Sequence, residues 1–348
     1  MTKRPVYTTT KFIADILSFT ENQEALSRQM EETSIDWDQV VVIGSKHLML
    51  PALYCRLKAK KLIALIPEDL SVYLKEISHI NRGRNEVLLT EAREISEIFK
   101  KENIDHVFIK GIALIAGHSF KDPAERMLTD IDVLVAENQL QNAFDLLTKY
   151  GYTETVTGII ERINHRHLPR QVSPQKFGAI ELHSEILRHE HRHLIVNEQV
   201  LKNKRIVNGI CIPSIEDAIK ISILAFQIND KAQRYVYFAF KPIYDCLAIN
   251  LTNKPVVIEN LSGQKHSQSF LAIASVFFKE MTPIKSSNYS KLLRHYFTLS
   301  LRYPILRKVV YSITNILVNI YVRLNLLLYN KSYRRHLLKN KIGLKFIK

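Results

Sequence analysis

Apolar residues recur at three- and four-residue steps from Thr8 to about Asn103, and Leu88, Ala92, Ile95 and Phe99 fall on one stripe of a predicted helix. Between about residues 104 and 212 the period shortens. His106–Ile109, Ile131–Val135, Ile180–His183 and Ile210–Ile212 read as short strands separated by helical stretches and turns. After Pro213 helical spacing returns, in Ile215–Phe226 and Val236–Ile249, and continues through the chain. Gln264–Ser269 and Pro283–Ser290 are polar and read as loops, the second marking the start of a basic tail. The pattern predicts an α+β chain with a helical region over 1–103, a mixed-sheet core over 104–212 and a helical C-terminal domain over 213–348. No internal repeat or low-complexity segment interrupts this order.

Composition fits that reading. The 348 residues are 46% hydrophobic and 24% charged, enough apolar material for a sizeable core. Cys55, Cys211 and Cys246 are scattered and odd in number, without the close spacing of a zinc site or a disulfide framework, so reduced thiols are expected. Lys11 and Asp15 break the apolar positions near the N-terminus, which leaves no continuous signal-peptide core and points to a cytoplasmic protein.

Charge adds an asymmetry. The net charge is +15, yet residues 1–280 carry 35 basic against 34 acidic side chains. Glu280 is the last acid, and 14 lysines and arginines follow it. Such a tail would attract a polyanion, either nucleic acid or an acidic membrane surface, or an acidic partner protein; a solvated tail with no dedicated partner is the other reading.

The candidate chemistry lies in the middle segment. On a strand, Asp130 and Asp132 project to one side while Ile131, Val133 and Val135 project to the other. Two carboxylates this close repel and raise each other's pKa unless a cation neutralises them. Magnesium does so through hard oxygen ligands and completes its shell with water and substrate phosphates. An isolated Asp-x-Asp pair is common on solvated strand edges. Here the apolar run that follows predicts a buried strand whose mouth presents the acids. Upstream, a predicted strand ends at Lys110 and Gly111 and a helix-like run begins. Glycine there would permit close approach by a ligand, and amides at a helix start offer donors to phosphate; a plain strand-to-helix turn would use glycine equally well.

Ile109-Lys-Gly-Ile-Ala-Leu114, then Arg126, then Asp130-Ile-Asp-Val-Leu-Val135, and later Glu181-Leu-His-Ser184 together resemble the nucleotidyltransferases of the DNA polymerase beta superfamily. The resemblance is closest to an uncharacterised bacterial group that carries Lys-Gly where other members carry Gly-Ser. It extends over the predicted helix Glu86–Asp105 and the helical region after Pro213. It implies that Asp130 and Asp132 bind magnesium, with Glu181 as the third carboxylate that also activates an acceptor hydroxyl. Lys110 and Gly111 would meet the triphosphate, with Arg126 nearby as a further positive group. The implied activity transfers a nucleoside monophosphate from a magnesium-bound nucleoside triphosphate, such as ATP, to a small-molecule, peptide or sugar acceptor. Glu181 stands where the family usually has Asp, and Ser184 where it has Trp. An RNA-directed or RNA-binding protein using the basic tail, and an inactive scaffold that docks to a membrane or partner, are the alternatives.

Two other features carry weaker signals. Histidines alternate in Asn164–His167 and His189–His193, but interleaved arginines oppose a metal ion, and exposed loops are expected. Lys308–Tyr329 is the most apolar stretch, with Lys308, Ser312, Asn315, Asn319 and Arg323 forming one narrow polar stripe. A core helix of the C-terminal domain is the preferred reading, and a helix in a membrane interface, peripherally attaching the protein, is the other.

Overall fold

The computed structural model describes residues 6–156, 166–281 and 287–340. Four helices open the chain: α1 (Val6–Leu17), α2 (Gln23–Glu32), α3 (Trp37–Lys46) and α4 (Leu50–Ala59). They lead into α5 (Glu68–Lys101), whose 34 residues run about 50 Å. Leu88, Ala92, Ile95 and Phe99 are all buried on α5, as their spacing predicts.

A mixed five-stranded sheet follows. Its strands are β1 (His106–Ile109), β2 (Ile131–Val135), β3 (Glu154–Val156), β4 (Arg170–Val172) and β5 (Ile180–His183), arranged β1-β2-β5-β4-β3. β2 pairs antiparallel with β1 and parallel with β5, so Ile109 lies opposite Asp132 and Asp132 opposite Glu181. Between strands come α6 (Lys110–Ala116), α7 (Leu140–Lys149) and α8 (Asn197–Lys202), and a hairpin of β6 (Arg205–Val207) and β7 (Ile210–Ile212) closes the segment. The fold is α+β, as the change of period predicts; β3, β4 and β6 are too short and polar to show in that pattern.

Alternation along β2 assigns the two faces of the sheet. Ile131, Val133 and Val135 join Phe108, Ile180 and Leu182 in the main apolar cluster, which runs from Phe12 on α1 to Phe297 near the C-terminus and so spans all three segments. Leu134 turns the other way and packs with Val107, Ile109, Ile221 and Leu224.

The remaining helices are α9 (Ile215–Leu224), α10 (Ala232–Tyr235), α11 (Phe240–Ala248), α12 (Pro255–Ser262), α13 (Lys265–Ala274), α14 (Asn288–Arg302), α15 (Pro304–Tyr329) and α16 (Lys331–Asn340). Several expectations need correction here. The predicted helix Val236–Ile249 starts only at Phe240, because Val236 adopts φ +50° and ends α10 instead. Gln264–Ser269 is not a loop: Ser267 and Ser269 are buried on α13, where their small side chains pack among apolar neighbours. Pro283–Ser290 falls partly outside the described residues, and its last residues already belong to α14.

A further correction concerns α15. No residue of this 26-residue helix is buried, so it is not a core helix. Phe270, Phe277 and Phe297 are buried among their own neighbours, with the Phe277 and Phe297 rings edge to face at 6.2 Å, while α15 stays on the surface.

Candidate functional site

The loop before β2 hangs from α5. Asn81 donates to the carbonyls of Ala124 (2.7 Å) and Arg126 (3.3 Å), and Asn85 to those of Pro123 and Arg126 (both 2.7 Å). Arg82 adds an ion pair to Asp122 at 2.6 Å. One helical turn past Asn85 and beyond, Glu91 accepts from the amides of Phe177 (2.5 Å) and Gly178 (2.8 Å) just before β5. Amide side chains and a buried carboxylate thereby satisfy backbone groups that no strand partner reaches.

The carboxylates meet where β2 and β5 run side by side. Asp132 is 3% exposed; it accepts from Lys110 Nζ and, at 2.7 Å, from His183 Nε2. Burial alone would raise its pKa, but the Lys110 ammonium and the His183 hydrogen bond outweigh burial and hold the carboxyl well below its usual range. Burial and the neighbouring Asp132 push Asp130 up instead. Arg170 on β4 bridges two acids, reaching Asp130 at 2.8 Å and Glu181 at 3.0 Å. His183 is fully buried, and burial lowers its pKa to about 4 despite the bond to Asp132. A neutral ring with its proton on Nε2 fits this geometry.

Lys110 sits at the β1–α6 junction with φ +59°, a left-handed conformation that a lysine adopts only at a cost of order 1 kcal/mol or more. That turn brings its ammonium back over Asp132. A Cβ on Gly111 would lie 2.5 Å from Leu128 Cδ2 and 3.3 Å from Arg126 Cζ. The glycine therefore makes room for the protein's own leucine and guanidinium. Arg126 is buried and held in both directions: Nε and Nη2 donate to Asp245 at 2.7 and 3.1 Å, and Nη1 to the carbonyl of Met127 at 2.6 Å.

A cavity of about 450 Å³ opens on these groups. Lys110, Gly111, Arg126, Asp130 and Asp132 line the sheet side; Asp230, Lys241 and Asp245 line the helical side, with Lys46, His47 and Arg166 at other points of the wall. Burial raises the pKa of Asp230, and burial with the neighbouring Arg126 charge lowers that of Lys241. Five of the six residues singled out in the sequence thus share one cavity. Glu181 is not on its wall and is reached from Asp130 through Arg170.

The donor set suits a divalent cation. Asp132, Glu181 and His183 offer ligand atoms within 4.8 Å of one another, and two of the three are carboxylates. Asp130 stands outside that group and is paired with Arg170. His189–His193 forms a mostly exposed 3-10 helix, and of Asn164–His167 the first two residues lie outside the described ones. The three cysteines are free.

Arg170, Lys241, Asp230 and Asp245 carry no motif in the sequence. Their partners lie far away along the chain, and no local pattern announces a pair such as Arg126 with Asp245. His183 falls in the Glu181–Ser184 motif that carries the resemblance, and its place two residues after Glu181 on β5 returns its side chain to the same face.

No curated protein matches the chain. The model of a family described as uncharacterised nucleotidyltransferases matches residues 33–231, more than half of the chain and every residue of the carboxylate cluster. The chain belongs to this uncharacterised nucleotidyltransferase family.

Proposed function

We propose that the protein transfers a nucleoside monophosphate from a magnesium-bound nucleoside triphosphate to a hydroxyl of a small-molecule, peptide or sugar acceptor. The observation that carries this reading is the register that sets Asp132 opposite Glu181, with Asp130 two residues away, beside a cavity floored by Lys110 and Gly111. Asp130, Asp132 and Glu181 would hold magnesium. When bound, the metal lowers the pKa of an acceptor hydroxyl and stabilises charge on the attacking and leaving oxygens.

The chain's own residues supply the rest. Lys110, now on Asp132, is a cation on the cavity wall that a phosphate would meet, whereas the charge of Arg126 is already matched by Asp245 and serves to shape the cavity. Glu181 would take the proton of the acceptor hydroxyl. The acceptor oxygen bonds to the α-phosphorus as the bond to the bridging oxygen breaks, and pyrophosphate leaves. Holding both reactants in line supplies most of the acceleration in such transfers.

A second reading is a non-catalytic fold in which cations of the chain replace the metal, favoured by Arg170 lying between Asp130 and Glu181. Incubation of the full chain with labelled nucleoside triphosphates, magnesium and a cell extract separates the two. Labelled acceptor, absent with Asp130→Ala and Asp132→Ala, is expected. Triphosphate binding that is unchanged in both variants and independent of magnesium removes the enzyme reading.

A further inference from the structure

Helix α15 is 26 residues long, with mean hydropathy 1.3 over its most apolar window and no buried residue. At about 100° per residue the half-buried positions Val310, Thr314, Asn315, Val318, Asn325 and Leu326 fall within one side of the helix, the side turned to the body. On the far side Val309, Ile313, Ile316, Ile320, Leu324 and Leu327 form an unbroken exposed apolar face. The polar stripe of Lys308, Ser312, Asn315, Asn319 and Arg323 runs along one flank. The helix is moored to the body in its N-terminal half: Tyr235 of α10 packs tilted against Tyr311 with ring centroids 5.2 Å apart and donates to Asn315 Oδ1 at 3.4 Å.

A soluble surface rarely exposes so long an apolar strip without an occupant. The occupant must also suit a segment that has 14 basic and no acidic side chains after Glu280. A second copy of the chain would cover the strip but bring Arg307, Lys308, Arg323, Lys331, Arg334 and Arg335 against their equals. Nucleic acid would match the charge and leave the isoleucines and leucines in water. An acidic lipid surface meets both demands.

We propose that α15 lies in the plane of an anionic membrane, its apolar face in the acyl boundary and its basic flank, continued by α16, among the headgroups. The in-plane pose follows from the mooring, since the apolar face points away from the body. Arg323, within the last two turns, would reach the headgroups from this pose, whereas a spanning pose would draw it toward hydrocarbon. Polybasic attraction to acidic headgroups and apolar insertion add together, and each alone is weak. This inference is independent of the chemistry at Asp130 and Asp132.

The test is cosedimentation of the full-length chain with vesicles of phosphatidylcholine alone and with added phosphatidylglycerol. Binding is expected to be at least about tenfold stronger to the acidic vesicles and to weaken with salt. Ile316→Glu with Ile320→Glu, both exposed and so harmless to folding, should weaken it by about tenfold or more, with unchanged circular dichroism. No preference for acidic vesicles, or equal binding by the double variant, overturns the proposal. So does a lipid-free dimer that the double variant dissociates, or RNA binding that it leaves intact while vesicles bind neither form.

Discussion

Arg126 and Asp245, 119 residues apart, form a two-pronged ion pair with both side chains less than a tenth exposed. It joins the loop that leads into the carboxylate strand to α11 and closes one wall of the cavity. Removing one partner strands the other charge in a buried site. Asp245→Ala should lower unfolding free energy by about 3 kcal/mol, and pairing it with Arg126→Met should recover part of that loss. Chemical denaturation of both variants checks this; equal stability of the single variant and the parent protein would contradict it.

Asp132→Asn removes the charge that Lys110 and His183 both address while keeping side-chain volume. Nucleotidyl transfer is expected to fall by about a thousandfold, with loss of magnesium-dependent triphosphate binding. Calorimetric titration reads the binding arm separately from turnover.

Arg170 competes with any cation for Asp130 and Glu181. Arg170→Met should therefore tighten divalent-ion binding in the absence of nucleotide by about tenfold, since two carboxylates lose their counter-charge. Manganese binding followed by electron paramagnetic resonance measures it, and unchanged affinity would show that Arg170 does not screen the acids.

Gly111→Ala places a methyl group 2.5 Å from Leu128 Cδ2, so that leucine, whose side chain lines the cavity, has to shift. The overpacking should cost about 2 kcal/mol of stability and displace Arg126. A thermal melt alongside the parent protein tests the first part, and a crystal structure of the variant the second.

His106 is buried in β1, donating from Nδ1 to the Ile104 carbonyl at 2.9 Å, with Nε2 3.0 Å from Ser96 Oγ. Burial lowers its pKa from the ordinary 6.5 to about 4, against the opposing bond to Ile104. The unfolded chain thus binds this proton first as pH falls. Stability is whole above pH 6.5 and is lost between there and pH 4, on the order of 3 kcal/mol for this one group. His47 and His183, also lowered to about 4, act in the same direction. Melting temperatures measured across that window should fall, and His106→Asn should flatten the slope.

The four strands named from period alone are present because each is a short apolar run with buried residues on both faces, as Val107, Phe108, Val133 and Leu134 show. The placement of Asp130, Asp132, Lys110 and Gly111 on one cavity was legible because local geometry dictates it: alternation brings the two acids near each other and a strand end sets the turn. Arg126 was found, but its partner was not. Whether a guanidinium is free or matched depends on a residue in another helix, and nothing near Arg126 in the chain encodes it. Helix α15 misled for a related reason. Apolar content says that a helix wants cover, and only packing says whether the protein itself supplies that cover.

Helix α5 carries the two clasps described above, Asn81 and Asn85 on the loop before β2 and Glu91 on the turn before β5. It works as a ruler laid across two strands that pair with each other but start from unrelated parts of the chain. An extra residue between Asn85 and Glu91 would swing the second clasp by about 100° around the rod. The gap between the Asp132 and Glu181 carboxylates would then lose its gauge, though neither strand had been altered.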